Sequence, residues 1–204
     1  MIKVLGKIPK GEFGIACSGG VDSMAILDFI LKGGHKPYVL YFNHNTEHGQ
    51  VAEDFVTKYC QDKDLKLFTG GTELSPKSNK EKIWSDLRYE FFSKFDFPII
   101  TCHHLDDCVE TYLFSCLRGF QSVIPYSKGN IIRPFLLTEK SVFYKWCQDK
   151  NVPFIEDESN SCVDYSRNRI RHNIVPEALL VNPGLKTVVK KMIKLEHSVI
   201  PSIH

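Results

Sequence analysis

The sequence is short of the features that mark several protein classes. It has no apolar run of membrane-spanning length, and residues 1–7 lack the apolar stretch of a secretory leader. The expectation is a cytoplasmic protein with no membrane partner. Cysteine occurs seven times, an odd number with no framework spacing and no Cys-x-x-Cys pair. That pattern reads as buried free thiols in a reducing compartment rather than disulfides or an iron–sulfur site. No charge of one sign dominates. With a net charge of only +2, any nucleic-acid binding must come from local patches rather than a global field. There are no repeats and no low-complexity segment. The 204 residues, 43% hydrophobic and 25% charged, suffice for one α/β domain plus an appendage.

What is present is an alternation of extended and helical patterns. Short apolar runs at 13–17, 36–42, 65–68 and 98–102 read as strands. The segments 24–31, 50–62 and 83–92, and the one after His104, read as helices. Strands separated by helices imply right-handed crossovers and a doubly wound, mostly parallel sheet. Ligands of such sheets sit at the carboxyl ends of the strands. The loop at Ser18, the pair Asn43-His44 and the pair His103-His104 all fall on that edge. Thr138 is the expected N-cap of a helix reaching Lys150, and Pro183 the expected start of a final amphipathic helix.

Ser18-Gly19-Gly20-Val21-Asp22-Ser23 is the central feature. A strand, a glycine turn and a helix present backbone N–H groups and a positive dipole end to a phosphate. Gly19 and Gly20 allow close backbone approach. Ser18 and Ser23 add hydroxyls. Asp22 would repel a phosphate unless a magnesium ion lay between them. No Gly-Lys-Ser/Thr follows, so the loop is not a Walker loop, and the third glycine of a Rossmann fingerprint is missing. A plain strand-to-helix turn, with Asp22 or Ser18 as N-cap, would use the same residues.

A second group lies at His103-His104-Leu105-Asp106-Asp107-Cys108-Val109-Glu110-Thr111. Asp107 and Glu110, three apart on a helix, share a face and could receive an ammonium group. Acidic residues also favour a helix's first turn for dipole reasons alone. Two histidines without a third ligand are weak evidence for zinc. Downstream, Arg167-Asn168-Arg169-Ile170-Arg171-His172 is a dense basic run, and Pro176 is expected to end its helix soon after. Lys186, Lys190 and Lys194 recur every four residues and would line one face of the last helix, either for solvation or for an RNA backbone.

The Ser18 loop resembles the SGGxDS loop of the N-type ATP pyrophosphatases, which split ATP between its α- and β-phosphates. The His103–Thr111 segment is similar to the second motif of the tRNA(Ile)-lysidine synthetases. The resemblance continues in order through Leu117-Arg118-Gly119, Arg133-Pro134 and Glu156-Asp157-Glu158-Ser159-Asn160. It ends in Tyr165-Ser166-Arg167-Asn168-Arg169-Ile170-Arg171, Pro176 and Asn182-Pro183.

The resemblance implies ATP and Mg²⁺ as cofactors, with L-lysine and a tRNA(Ile) bearing a CAU anticodon as partners. Ser18, Gly19, Gly20, Asp22, Ser23 and His44 would bind ATP, with Asp22 also a metal ligand. Asp107 and Glu110 would hold lysine. Asp22, Asp107, Glu110 and Arg171 would carry the chemistry. Arg118, Arg167, Asn168, Arg171 and Lys190 would face RNA. Residues 1–160 would form the nucleotide-binding domain and 161–204 a helical extension packed on it. A tRNA thiolase of the same superfamily, or a non-catalytic nucleotide- or RNA-binding relative, are the alternatives.

Three positions depart from the family pattern. His44 is followed by Asn45-Thr46 instead of Gly-Leu, Ser85 stands where many members have arginine, and Phe120-Gln121-Ser122 replaces a glycine-rich segment. Many members also carry further domains that grip the tRNA. Their absence points to a minimal form, in which a homodimer or an auxiliary RNA-binding partner would supply the grip.

Overall fold

A computed structural model describes residues 1–73, 80–156 and 166–199. Six strands form one sheet: β1 (Gly14–Ala16), β2 (Tyr38–Asn43), β3 (Leu67–Gly71), β4 (Ile99–Ile100), β5 (Ser127–Lys128) and β6 (Ile131–Ile132). Their spatial order is β3-β2-β1-β4-β6-β5, parallel throughout except for the β5–β6 pair. The chain winds outward from β1 in both directions, as the alternating pattern predicts. The topological switch lies between β1 and β4, where Gly14 pairs with Tyr38 on one side and Ile99 on the other.

Helices cover both faces, and the central strands β1, β2 and β4 are accordingly buried and mostly apolar. Val39 and Tyr41 turn toward α1 (Val21–Lys32) and α2 (Glu47–Asp62), while Leu40 faces the opposite layer. That layer holds Phe91 and Phe92 of α3 (Lys80–Phe92). On the first face, Met24, Leu27 and Ile30 of α1 pack with Phe135 and with Phe143 of α5 (Lys140–Lys150). Phe135 and Phe143 are fully buried, so truncating either to alanine should cost about 3–5 kcal/mol.

A separate apolar cluster forms under α4 (Leu105–Leu117). Leu105 and Val109 meet Leu185, Val189 and Ile193 of α8 (Leu185–Val199). Between α5 and α8 come α6 (Ser166–Arg169), a π-helical turn at Ile170–Ile174, and α7 (Val175–Val181).

Several boundaries correct the sequence expectation. Thr138 does not cap α5. It is buried, and its hydroxyl accepts the Lys3 N–H at 2.8 Å and donates to the Lys3 carbonyl at 2.9 Å. Glu139 occupies the N-cap without a side-chain bond, and the carboxylate of Asp106, 34 residues away, accepts the Lys140 N–H at 2.7 Å. Neither Ser18 nor Asp22 caps α1; Gly20 does, again without a side-chain bond. Pro176 does not end its helix. It sits in the first turn of α7, and the π turn before it, where the Val175 N–H reaches the Ile170 carbonyl, widens the helix enough to admit the ring. The last helix begins at Leu185, because Asn182 Oδ1 accepts the Gly184 N–H at 3.0 Å and holds Pro183-Gly184 as a turn. The motif residues 157–160 and Tyr165 lie outside the described residues, as does most of the polar loop before α3.

Candidate functional site

The loop between β1 and α1 is held in shape by its own atoms. Gly19 has φ +82°, and a Cβ there would come within 3.2 Å of side-chain carbons of Ile155 and Phe55, so only glycine fits. Its carbonyl accepts the Ile155 N–H at 3.0 Å, tying the loop to the strand-like segment after α5. Ser23 is buried. Its hydroxyl donates to the Gly20 carbonyl at 2.9 Å and accepts the Ser18 N–H at 3.2 Å, so it braces the loop from within. Ser18 is exposed to the cleft. Since no side chain caps α1, its first-turn N–H groups are left for an anion.

That loop forms one wall of a cleft of about 960 Å³ at the carboxyl ends of β1, β2 and β4. Asp22 reaches in from the first turn of α1. Its Oδ2 lies 3.5 Å from His104 Nε2 and 3.7 Å from Lys140 Nζ, while Oδ1 is buried with no hydrogen-bond partner among the described residues. A buried carboxylate oxygen without a donor is costly unless a cation takes it up. One carboxylate oxygen facing a phosphate loop suits Mg²⁺, which keeps few protein ligands and takes the rest from phosphate and water.

His104 is both wall and cap. As N-cap of α4 its ring Nδ1 accepts the Asp107 N–H at 3.4 Å, and Asp107 returns the bond by accepting the His104 N–H at 2.9 Å. Burial alone would lower the pKa of this imidazole, but the carboxylates of Asp107, Asp22 and Asp106 outweigh it and raise it. The ring cannot keep both states at once: a proton on Nδ1 turns it from the N–H of Asp107 to that residue's carboxylate, 3.4 Å away.

Asp107 and Glu110 lie one turn apart on α4, as their spacing requires, and a cation already sits on them. Arg171 Nε donates to Glu110 Oε1 at 2.7 Å and Nη2 to Oε2 at 3.0 Å, with Asp107 Oδ1 at 3.8 Å from the same nitrogen. Glu110 is 7% exposed, so this bidentate pair is largely shielded from water. Burial would raise the Asp107 carboxyl, yet His104, His103 and Arg171 together hold it below its usual value. Arg171 projects from the π-helical turn, the local irregularity that also admits Pro176.

The far wall carries His44, Thr46 and Arg88. Burial, then the charge of Arg88, pushes His44 down to about 4, so it is neutral near pH 7. His103, bonded to Thr101 Oγ1 at 2.9 Å, is likewise pushed down to about 4, by burial first.

The fold brings Ser18, Gly20, Asp22, Ser23, His44, Asp107 and Arg171 to this cleft, with Glu110 held behind it by Arg171. Arg118 ends α4 and stacks on Phe114 5.5 Å away, outside the cleft, and Arg167 is exposed beyond its rim. Asn168 is half-buried on α6. The lysine stripe of α8 is divided in the structure. Lys186 bonds Asp106 at 2.8 Å and Glu139 at 3.0 Å, and Lys190 bonds Glu139 at 3.1 Å, so both turn inward. On that helix Lys191 and Lys194 stay exposed.

Sequence reading missed Lys140 and undervalued Arg88 and His104. A lysine as the first residue of a helix opposes the macrodipole, and that misplacement was the available signal.

A doubly wound sheet with an uncapped glycine loop at its switch point defines a PP-loop nucleotide-binding domain, and the PP-loop domain family matches residues 1–178. The fold is shared with the NH3-dependent NAD synthetase of Campylobacter jejuni, at TM-score 0.51 over 95% of this chain and 89% of that one, with 14% identity. Relatives in sequence are narrower in kind. The tRNA(Ile)-lysidine synthase of Lactiplantibacillus plantarum is 34% identical over 87% of this chain and 44% of its own length. That of Petrotoga mobilis is 30% identical over 95% of this chain and 68% of its own. The chain therefore belongs to the tRNA(Ile)-lysidine synthase family of PP-loop proteins, and it spans less than half the length of the Lactiplantibacillus relative.

Proposed function

We propose that this chain modifies cytidine 34 of a CAU-anticodon tRNA(Ile) to lysidine, using ATP and free L-lysine. In the first step the C2 oxygen of the base attacks the α-phosphorus, the bond to the bridging oxygen breaks, and pyrophosphate leaves with its electron pair. In the second the ε-amine of lysine attacks C2, loses a proton, and AMP departs carrying the former C2 oxygen.

The loop at Ser18–Gly20 and the first turn of α1 cradle the phosphates with backbone N–H groups. Asp22 would hold Mg²⁺ through the buried oxygen that lacks a donor; bound there, the ion neutralises charge on the leaving pyrophosphate. Asp107 and Glu110 accept the ammonium end of lysine in the place where Arg171 now sits, and the amine must give up a proton before it attacks. The anticodon base is unstacked into the cleft, which a single-stranded loop allows cheaply.

The observation that carries the reading is the co-location, in one cleft, of an anion loop with Asp107 and with Arg171, whose guanidinium reaches Glu110 just behind the wall. Thiol chemistry is poorly served by comparison. Cys17 and Cys102 line the cleft, but burial pushes both thiols up and away from the thiolate form. Incubation with ATP, Mg²⁺, radiolabelled lysine and total tRNA tests the proposal. Label should enter CAU-anticodon tRNA only with ATP, with one AMP and one pyrophosphate formed per lysine. TRNA that stays unlabelled while ATP is present would refute it.

A further inference from the structure

We infer that Lys140 is the side-chain cation of the phosphate site, where it receives the pyrophosphate leaving ATP, and that Lys186 positions it through Asp106. The inference rests on the ATP chemistry proposed above and adds two residues to it.

Lys140 opens α5, where a positive charge works against the helix dipole. Among the described residues its ammonium pairs only with Asp22 Oδ2, at 3.7 Å, a long contact beside the phosphate loop and beyond hydrogen-bond range. The side chain is 35% exposed, and its ammonium lies 5.9 Å over the ring of Tyr144. A cleft cation whose contact to Asp22 is long, and whose side chain is part-exposed, keeps donor capacity for an anion that approaches from the cleft side.

The other cations of the cleft are less available for this task. Arg171 is spent on Glu110, and the ring of His104 is bound into the cap of α4. Arg88 belongs to the opposite wall, beside His44.

Lys140 is also aimed from behind. Asp106 uses one oxygen to accept the Lys140 N–H at 2.7 Å and the other to meet Lys186 Nζ at 2.8 Å. Lys186 makes a second bond, at 3.0 Å, to Glu139, the residue just before Lys140. Helix α8 thus clamps the start of α5 from two sides, although it contributes nothing to the cleft wall. Lys186 is a positioning residue, and Lys140 touches the ligand. As the bridging oxygen leaves on the β-phosphate, Lys140 remains protonated and donates hydrogen bonds to it; no proton is transferred.

The test is calorimetric titration of the full chain with inorganic pyrophosphate and Mg²⁺, and with α,β-methylene-ATP. It compares the wild type with Lys140→Gln, Lys140→Arg, Lys186→Gln and Lys186→Arg, alongside ATP and lysine KM values in the labelling assay. Losing a charge-assisted bond in Lys140→Gln should weaken pyrophosphate binding roughly 10- to 100-fold, with Lys140→Arg recovering most of it. Lys186→Gln should raise the ATP KM about 3- to 10-fold, a smaller loss than direct contact gives, while the lysine KM holds and Lys186→Arg restores it. Pyrophosphate binding unchanged in Lys140→Gln overturns the inference, and so does a wild type that binds neither ligand. An ATP KM unmoved in Lys186→Gln, or raised together with the lysine KM, removes the positioning role. Lys140-dependent pyrophosphate binding in a protein that never labels tRNA would sink the lysidine reading and leave this inference standing.

Discussion

Two carboxylate sites, Asp22 in the cleft and Glu110 just behind its wall, are finished differently. Asp22 has one oxygen shared loosely between His104 and Lys140 and another with no hydrogen-bond partner among the described residues. Glu110 has both oxygens bonded by Arg171 and is nearly sealed from water. The first is an open valence, and the second is one already filled by the protein. An open carboxylate adds little to the resting fold and everything to ligand binding. A filled one stabilises the fold and must be emptied before a ligand can use it.

Replacing Asp22 should have the largest functional and the smallest structural effect. Asp22→Ala is expected to abolish ATP-dependent pyrophosphate release while Tm falls by only a few degrees, since the contacts it loses, to His104 at 3.5 Å and Lys140 at 3.7 Å, are long ones. Normal pyrophosphate release by that variant would reduce the loop to a structural turn.

Glu110→Gln should show the reverse balance. It leaves Arg171 short of a buried counter-charge, so about 1–3 kcal/mol of stability should go, visible as a Tm lowered by several degrees. The lysine KM should rise roughly 5- to 100-fold, whereas adenylation of tRNA continues. If both KM and Tm match the wild type, the filled site has no role in lysine binding.

Acid sharpens the contrast further. His103 and His44 are both pushed down to about 4, mainly by burial, whereas an unfolded histidine titrates near 6.5. The unfolded chain therefore takes up protons first. The stability from keeping these rings neutral is complete above about pH 6.5 and is lost as pH falls toward 4. For His103 the loss is on the order of 3 kcal/mol. His104 works oppositely, because its raised pKa contributes below 6.5 and fades at higher pH. Thermal melts from pH 7.5 to 4 should fall steeply below 6.5, and His103→Gln should flatten that limb; an unchanged slope would assign the acid sensitivity elsewhere.

The smallest effect is expected at Lys190, half-buried and paired with Glu139 on the outer side of the same clamp. Lys190→Gln should cost no more than about 0.5 kcal/mol and leave the salt dependence of tRNA binding as it was, because this lysine turns to Glu139 and not to solvent. A salt slope reduced by about one unit would return Lys190 to the RNA interface.

Much of the fold was legible in sequence because its signals are local. Apolar runs at Ile15, Leu40 and Ile100 alternate with helical segments, and a strand followed by Gly19-Gly20 admits few backbone paths. Asp107 and Glu110 were legible as a pair because three residues on a helix bring side chains to one face. Helix ends read less well. Thr138 looked like a cap, yet its hydroxyl was taken by Lys3 at the far end of the chain.

By itself the sequence determined the alternation that winds the sheet, the glycine turn at Gly19-Gly20 and the facing carboxylates Asp107 and Glu110, through local periodicity, glycine and helical spacing. Only the tertiary structure decided which cation meets which anion. Arg171 finds Glu110 across 61 positions, Asp106 caps a helix 34 positions on, and Lys186 turns from solvent to hold them both. Charged side chains are long and pair with whatever the packing of apolar faces brings near. Their partners leave no periodic trace in the chain, and their roles emerge only when the helices dock.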